Sequence, residues 1–454
     1  MKAVIFRIIY LCLFTWLLIP AVAQEPGPEI SGEWCTDQRL LLYDPYPWSW
    51  SENRLDLGLK KNFQGKASFS ANVWFRSFGF QFLTGTRQLF NKDEISPYQI
   101  DFREAWLDLY GFIVPNLDVR IGRQVITWGR GDRLNPTRNL NPPDLEDIWD
   151  FGRSHGVEAV KLDYYLNDVF FLEGVYVPFF RPATLPRGDL ASVFSTSMSL
   201  PVPSTQIAVM TDTLLMPDNR PGQTSSYGIK LGGFILGFDF SLSYSFFRDG
   251  LPVPSYTDVA FADEEFNLAV NTELLFPRFH AVGTDMAGSL AGVGVWGEMA
   301  LMIPDKEVIM HIDLSEIGYS DLESVQLEDK PYFRYLMGAD YTFTDGSYMN
   351  FQFLHGFFHE RGKGNLNDYF LLEYEKKVAQ EKIVLKPVTG AIVIGDWKNV
   401  KEDHALVWMP SAGYLPDENT EITLGIRLIS GKGETAFAGL DRRDEFFVSI
   451  RHHF

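Results

Sequence analysis

The stretch that decides the fold is GFDFSLSYSFF, residues Gly237–Phe247. Large apolar residues occupy every second position, and aspartate or serine stands between them. A period of two is the pattern of a β-strand whose two faces meet different environments. The same alternation recurs along the chain, most clearly in KASFSANVWF (66–75), LDVRIGRQVIT (117–127), EITLGIRLI (421–429) and FFVSIRHHF (446–454).

No stretch after residue 24 has the length of apolar sequence that a membrane-spanning helix needs. The richest runs are interrupted by Glu173, Asp239 or Glu298, whereas a spanning helix takes about 20 mostly apolar residues. Alternation alone fits a soluble β-sandwich as well as a transmembrane barrel. The two ends of the chain favour the barrel.

The C-terminal strand has an apolar face that ends on an aromatic residue. Phe446, Val448, Ile450 and Phe454 share this face with His452. A final strand of this kind resembles the recognition signal of outer-membrane barrel proteins. We therefore expect the barrel assembly machinery as a partner.

The first 23 residues have the composition of a secretory signal peptide. Lys2 and Arg7 form a cationic start, residues 8–19 are apolar, and AVA at 21–23 fits a small-residue cleavage site. We expect cleavage there, secretion through the inner membrane of a Gram-negative bacterium, and residence in the outer membrane. A retained membrane anchor is the alternative.

Residues 24–454 are predicted to form a single barrel domain, with 24–37 as a periplasmic N-terminal segment, because no linker composition divides them. The net charge of the whole chain is −19, and removing Lys2 and Arg7 makes it −21 (−19 − 2). So acidic a chain argues against nucleic acid as a partner. Cys35 is the one cysteine beyond residue 23, so no internal disulfide is expected.

The predicted connections alternate in length, as they do in barrels with short periplasmic turns and long extracellular loops. We expect 16 to 18 antiparallel strands, with RLLLY (39–43) as the first. Closure follows because an open edge in lipid leaves backbone groups unpaired at several kcal/mol each. Tight turns are predicted at NFQG, VPNLD, YLND, GGFILG and TDGS, and long excursions near 77–98, 128–154, 178–224, 248–278 and 304–331.

The segment VRIGRQVITWGRGDRLNPTRNLNPPD, residues 119–144, resembles a motif of an outer-membrane β-barrel family catalogued mainly as a domain of unknown function. Similarity continues in 277–301, in 333–343 with 349–358, and in the closing strands. The resemblance implies a porin-like barrel with similarity to polysaccharide-export barrels. It also implies, as an alternative, a lipid or hydrophobic cargo and work beside an inner-membrane exporter with periplasmic partners.

Alternation assigns the polar residues of each strand to the barrel lumen. It turns Glu104 and Asp108 inward on one strand, and Arg120 and Gln124 inward on the next. Opposite charges on neighbouring strands then form a ladder that either selects solutes or only stabilises the wall. Further lumen candidates are Lys161, Glu173, Lys230, Asp239, Glu298, Arg334, Asp340, Glu373, Arg427 and Arg451.

Arg123 breaks this pattern, because alternation places it among lipid-facing residues. An arginine at the membrane midplane costs about 2–4 kcal/mol. Either Gly122 marks a bulge that turns Arg123 into the lumen, or Arg123 lies near the membrane interface. We favour the bulge.

The excursion 128–154 combines Arg130 and Arg133 with acidic residues, prolines and asparagines. One hypothesis is a constriction that folds into the lumen and attracts anionic groups through its arginines. The other is an outer loop whose charges neutralise one another. For a constriction, replacing Arg130 and Arg133 by Ala should shift a channel towards cation preference.

No motif predicts catalysis. Gly292, Gly294 and Gly297 match a dinucleotide fingerprint but lie within apparent strands, and His355 and His359 have no convincing third metal ligand. We expect no cofactor, no metal and no catalytic site. The sequence predicts an outer-membrane pore for small solutes with a charged lumen. The alternatives are an exporter-associated barrel for lipid or polysaccharide, and an enzyme or binding protein that uses the barrel as an anchor.

Overall fold

The computed structural model describes residues 27–79, 83, 85–150, 152–187, 190 and 207–454. The predicted signal peptide, residues 1–23, lies outside these residues. The described strands are β1 (Glu29–Leu41), β2 (Trp48–Phe63), β3 (Ala67–Phe78), β4 (Tyr98–Leu109), β5 (Leu117–Gln124), β6 (Val157–Tyr165), β7 (Phe170–Val177), β8 (Ile207–Leu215), β9 (Ser226–Ile235), β10 (Phe238–Arg248), β11 (Val253–Phe261), β12 (Leu268–Leu275), β13 (Arg278–Leu290), β14 (Val293–Pro304), β15 (Val308–Asp313), β16 (Leu322–Leu327), β17 (Tyr332–Thr342), β18 (Tyr348–His355), β19 (Asp368–Val378), β20 (Ile383–Ile394), β21 (His404–Trp408), β22 (Ser411–Tyr414), β23 (Thr420–Lys432) and β24 (Glu445–His453).

Helices are few and short in the described part of the chain. None of them has the length and apolar character required to cross a membrane. They are α1 (Lys92–Ile95), α2 (Pro221–Thr224) and the 3-10 turns Thr86–Phe90, Ser315–Ile317 and Ala438–Leu440.

Nineteen strands form one closed antiparallel sheet. β24 pairs with β1 from Glu33↔His453 to Leu41↔Glu445, which closes the ring. β21 and β22 pair with successive parts of β20 and β23, so they form one interrupted wall strand. The interruption contains Pro410, which has no N–H for the ladder. The wall therefore has eighteen strands, which confirms the predicted all-β barrel and its strand range.

On β10, polar side chains are buried and apolar side chains are exposed, which is the opposite of a soluble sheet. On β10, Ser241, Ser243 and Ser245 are buried in the barrel, whereas Leu242 is 57% exposed on the outside. An apolar outer face around a polar interior is the pattern of a transmembrane barrel. Other exposed apolar side chains on the outer face are Leu59, Phe75, Leu107, Ile121, Leu162, Tyr176, Ile229, Val282, Met299, Phe333, Phe351, Leu372, Ile392, Leu406 and Leu424.

The two ends of the barrel carry different connections. One end, the turn rim, carries the start of β1, the end of β24 and the connections 64–66, 110–116, 166–169, 236–237, 291–292, 343–347, 379–382 and 415–419. All five predicted tight turns coincide with these connections. The opposite end, the loop rim, carries the connections that include the five predicted excursions. Which rim faces the periplasm stays a prediction.

Three connections at the loop rim combine into a second sheet that the sequence did not predict. Its order is β16-β15-β11-β12-β8, and the pairs β11–β15 and β12–β8 are parallel. The excursions expected as polar loops at 178–224, 248–278 and 304–331 therefore contain strands. Local alternation cannot reveal a sheet whose strands come from three separate connections. The buried core of this sheet includes Val259, Leu268, Val270, Met310 and Ile312.

The start of the barrel differs from the prediction. β1 begins at Glu29 and pairs with both β2 and β24. The assignment of 24–37 to a periplasmic segment is therefore wrong for residues 29–37, and the first strand does not start at 39. Gly32, Thr36 and Gln38 occupy outward positions of β1, which makes its outer face too polar for the alternation to be recognised.

Candidate solute path and its inward-folded segment

The connection between β5 and β6 folds into the barrel. We call residues 125–156, of which 151 lies outside the described residues, the inward segment. Ile126, Trp128 and Leu140 are 2–5% exposed and belong to one core with lumen-facing residues of the wall. This packing places the segment inside the barrel, where a constriction would lie, and its attraction for anionic groups stays a prediction. The wall residues of this core include Val157, Ala159, Val175, Val177, Ala281, Ala300 and Met302.

Wall carboxylates hold the first half of the inward segment. The Glu298 carboxylate accepts hydrogen bonds from the backbone N–H groups of Arg130 (2.9 Å), Gly131 (3.3 Å) and Thr137 (2.6 Å), and from the Thr137 hydroxyl (2.8 Å). The Arg130 guanidinium lies 3.3 Å from Asp285. A carboxylate with several N–H donors forms strong, charge-assisted hydrogen bonds. Glu298 on β14 therefore fixes the backbone of the segment.

Wall arginines hold the second half of the inward segment, where the sequence DLEDIWD provides the carboxylates. The ion pairs are Arg39–Asp147 (2.8 Å), Arg76–Glu146 (2.6 Å) and Arg103–Asp144 (2.8 Å). Burial alone raises the pKa of Asp147, but the Arg39 guanidinium outweighs it and holds this pKa well below its usual range. Asp147 is therefore charged at neutral pH.

The turn of the segment at Asp132 reaches the wall strand β18. The Asp132 carboxylate accepts hydrogen bonds from the side-chain amides of Asn350 (2.8 Å) and Gln352 (3.0 Å). Together with the contacts to Glu298 and Arg76, this contact connects the segment to widely separated parts of the wall. The segment therefore crosses the lumen.

Two cavities flank the inward segment. The turn-side cavity has a volume of about 510 Å³ and is lined by residues of the segment and of β18–β23. The loop-side cavity has a volume of about 810 Å³ and is lined by the loop-rim ends of β1–β3, α1 and the β23–β24 connection. Among the described lining residues, Trp149 alone is common to both cavities. Trp149 therefore faces both cavities and lies on the direct route between them.

Packing contacts set the position of Trp149. Its ring stacks on Phe437 at 6.5 Å, and the Arg427 guanidinium lies 5.0 Å from its ring centre. The indole N–H has no hydrogen-bond acceptor among the described residues. Rotation of this side chain therefore breaks no hydrogen bond. Arg427, in turn, forms an ion pair with Glu445 of the last strand.

Most of the predicted lumen residues do face the lumen, where they are paired. Asp108 binds Arg120 at 2.6 Å, and Arg334 is buried and donates to the Phe358 carbonyl. Such pairing stabilises the wall, and whether these charges also select solutes stays a prediction. The other members are Glu104 with the Val125 N–H, Gln124 with the Ala159 carbonyl, Lys161 with Asp163, Glu173 with Lys230, Asp239 with Arg130, Asp340 with Tyr348, Glu373 with Lys386, and Arg451 opposite Cys35 and Glu421.

Arg123 does not face the lumen, so the bulge that we favoured is wrong. Its pairing with β4 and β6 has no register shift, and it lies opposite Ala105 on the outer face. Arg123 lies one residue before β5 ends at the loop rim. Its guanidinium forms an ion pair with Glu158 at 2.7 Å. The second explanation, a position near the membrane interface, fits this geometry.

Three wall arginines that hold the segment were not among the predicted site residues: Arg39, Arg76 and Arg103. Extending the alternation of 66–75 by one residue would have turned Arg76 inward. Arg103 could not be found this way, because a register shift lets β3 skip it between Asn72↔Glu104 and Val73↔Phe102. The bulge therefore lies on β4 and brings Arg103 to Asp144.

The remaining predicted features lie on the last strand and in a turn, and recognition by the barrel assembly machinery stays a prediction. Phe446, Val448 and Ile450 are on the outer face of β24, and the Phe454 N–H donates to the Gly32 carbonyl at 3.0 Å. Gly292 lies in the β13–β14 turn at φ +84°, and a strand follows it where a dinucleotide site has a helix.

Fold and site together define a porin-like, closed β-barrel whose lumen is crossed by an inward-folded connection. Residues 64–332, which are 269 of the 454 residues, match the family model described as "Protein of unknown function (DUF1302)", and the chain belongs to this family. Residues 119–144, where we recognised a family motif, lie inside the matched range.

Several solved structures resemble the chain over nearly their whole length. OccK11 (OpdR) of Pseudomonas aeruginosa has 8% identity and a TM-score of 0.48, with 96% of this chain and 99% of that chain covered. OmpT of Vibrio cholerae has 10% identity and a TM-score of 0.43 (96% and 100% covered), and OmpF of Salmonella typhi 9% and 0.41 (94% and 97%). The comparison with curated proteins gave no significant match.

Proposed function

We propose that the chain is a channel of the bacterial outer membrane that passes small solutes through a charged lumen narrowed by the inward segment. One observation carries this proposal: the segment crosses the lumen and leaves a cavity on each side, and the cavities meet at Trp149. The apolar outer face of the wall supports a membrane location. Outer-membrane lipid and the barrel assembly machinery are the partners that this location requires.

Charges of both signs line the proposed path. Asp132 and Glu373 face the turn-side cavity together with Arg133, Lys386 and Arg427. Mixed charge in a hydrated lumen favours polar solutes over apolar ones and gives weak preference between anions and cations. We therefore propose small polar solutes as the class that passes this cavity.

Recordings from the purified protein in planar bilayers test the proposal. We expect stepwise conductance, and we expect the step to become larger in Trp149→Ala, because removing the indole joins the two cavities. Trp397→Ala is the matched control, since Trp397 is 59% exposed in the β20–β21 connection and lines neither cavity. Equal steps in both variants would contradict a path past Trp149.

A second candidate is an exporter-associated barrel that handles lipid or polysaccharide with periplasmic partners. The observation in its favour is that buried ion pairs hold the inward segment across the lumen. A barrel that stays without conductance in the same recordings, in the wild type and in Trp149→Ala alike, would support this candidate over a passive pore.

A further inference from the structure

The loop-side cavity differs in character from the rest of the barrel interior. Eleven of the eighteen described residues that line it are aliphatic, aromatic or proline. They include Trp48, Trp50, Phe78 and Leu440, which come from three separate parts of the chain. Charged side chains line both cavities, and the turn-side cavity has the amides of Asn350 and Gln352 in addition. An apolar lining offers water few hydrogen bonds, so an apolar ligand that displaces this water is favoured.

The charged groups at this cavity do not offer a free cation for an anionic ligand. Arg187 is paired with Glu146 and lies 4.1 Å from the Phe78 ring centre. Arg443, the other cation among the described lining residues, is not free either. Glu445 is paired with Arg427. The carboxylates of Asp93 and Glu94 on α1 also line the cavity and form no ion pair among the described residues. The carboxylates of Asp93 and Glu94 would therefore repel an anionic ligand, whereas they would not repel a neutral one.

We propose that the loop-side cavity is a binding site for a neutral, ring-containing apolar small molecule, held between Trp48, Trp50 and Phe78, with Trp149 separating it from the turn-side cavity. Its volume of about 810 Å³ is within the range of small-molecule sites, about 300–1,000 Å³. The geometry suits flat rings, because Trp50 and Phe78 meet edge to face at 6.2 Å with an interplanar angle of 90°. A ring that enters the corner between them meets aromatic surface on two sides.

Equilibrium dialysis with two naphthalene probes tests this site. The protein is used as the full barrel in lipid nanodiscs, and empty nanodiscs correct for uptake by lipid. We expect saturable binding of 2-naphthol at one site per barrel. 2-Naphthoate has the same ring with a negative charge at pH 7, and we expect it to bind at least about tenfold more weakly, which corresponds to about 1.4 kcal/mol.

Two tryptophan variants with equal exposure locate the binding. Trp48 is 58% exposed and Trp397 is 59% exposed, so neither substitution removes a buried core residue. Trp48→Ala should weaken 2-naphthol binding about tenfold, because one aromatic wall of the cavity is lost. Trp397→Ala should leave it unchanged.

Three outcomes would overturn the proposal: uptake no greater than that of empty nanodiscs, equal binding by the two variants, or naphthoate binding as tight as naphthol binding. Because binding is measured at equilibrium, the result does not depend on whether the barrel conducts. A failure here therefore leaves the proposed channel untouched, and the absence of conductance leaves this site untouched.

Discussion

The two sides of the barrel wall hold the inward segment with opposite charges. On the β1–β4 side the wall provides guanidinium groups and the segment provides carboxylates, as in Arg76–Glu146. On the β10–β14 side the wall provides the carboxylates of Asp285 and Glu298, and the segment provides N–H donors. The two sides differ in the exposure of the guanidinium group, since the Arg76 side chain is 2% exposed and that of Arg130 is 37% exposed, whereas the carboxylates of Glu146 and Asp285 are both buried.

The exposure of a lumen charge indicates whether it stabilises the barrel or remains available to solutes. Breaking a buried ion pair is costly, because the partner that remains is a buried, unpaired charge. Removing a partly exposed guanidinium, such as that of Arg130, costs less, since water already screens its interaction with the carboxylate. The arginines on the β1–β4 side are therefore structural, and a charge that influences passing ions must be sought elsewhere.

The largest expected effect is on the stability of the buried side. Arg76→Met leaves the buried Glu52 without a guanidinium, while Glu146 keeps Arg153 and Arg187. Because Glu52 then is a buried, unpaired charge, the change should lower the free energy of unfolding by about 3–5 kcal/mol. Arg130→Met, the matched change on the other side, should lower it by about 1 kcal/mol or less. Urea unfolding of the barrel in lipid vesicles measures both values. Equal losses would mean that burial does not distinguish the two sides.

The wall of the barrel could be predicted from sequence because its signal is local. Alternation between Ser241 and Leu242 on β10 is repeated on strand after strand, and each strand reports its own two environments. The strand number followed from the turns between these strands, and closure followed from the cost of an open sheet edge in lipid. The same reasoning turned Glu298 and Arg427 inward, which the structure agrees with.

The sequence suggests an inward segment but does not specify its contacts, because these contacts are long-range. Arg76 and Glu146 are 70 residues apart, and Arg130 and Glu298 are 168 apart. No periodic pattern links such positions. A bulge at Arg103 further limits prediction from alternation. It shifts the alternation within β4 by one residue, so that Phe102 before the bulge and Ala105 after it both face outward. The same non-local pairing conceals the second sheet.

Acid should weaken the barrel through a buried histidine of the β18–β19 connection and not through the acidic half of the segment. Burial, with the charges of Arg361 and Arg334, lowers the pKa of His359 to about 3. The unfolded chain binds this proton below pH ~6.5, so stability falls as the pH drops from about 6.5 towards 3, by up to about 1.4 kcal/mol per unit. His155, whose pKa burial also lowers, acts in the same direction.

The carboxylates of Asp144 and Asp147 have the opposite dependence. Their lowered pKa values give stability that is present above the unfolded value of about 3.9 and is lost only as the pH falls through the folded value. Unfolding titrations between pH 7 and 4 should therefore show a slope that decreases in His359→Gln. An unchanged slope in this variant would place the acid-sensitive groups elsewhere, such as in the segment itself.

A smaller effect is expected where one wall carboxylate holds the segment backbone. Glu298→Gln keeps the size of the side chain but replaces one acceptor oxygen by an amide that cannot accept. The amides of Arg130, Gly131 and Thr137 should then exchange hydrogen about tenfold faster, equivalent to about 1.4 kcal/mol. Glu373→Gln is the control, because Glu373 binds Lys386 and does not contact the segment. Faster exchange in both variants would indicate general loosening of the barrel.

The smallest effect concerns ion selectivity, and it asks which segment arginine is available to a passing ion. Arg133 is exposed, lines the turn-side cavity, and has no ion-pair partner among the described residues, whereas Arg130 is paired with Asp285 and lines neither cavity. Arg133→Ala should therefore shift the reversal potential in a salt gradient towards cation preference, and Arg130→Ala should shift it less. The shift from Arg133→Ala should also decrease as salt concentration rises, because ions screen an exposed charge. A larger shift from Arg130→Ala would mean that the ions pass on the β10–β14 side, and the path past Trp149 would then have to be abandoned.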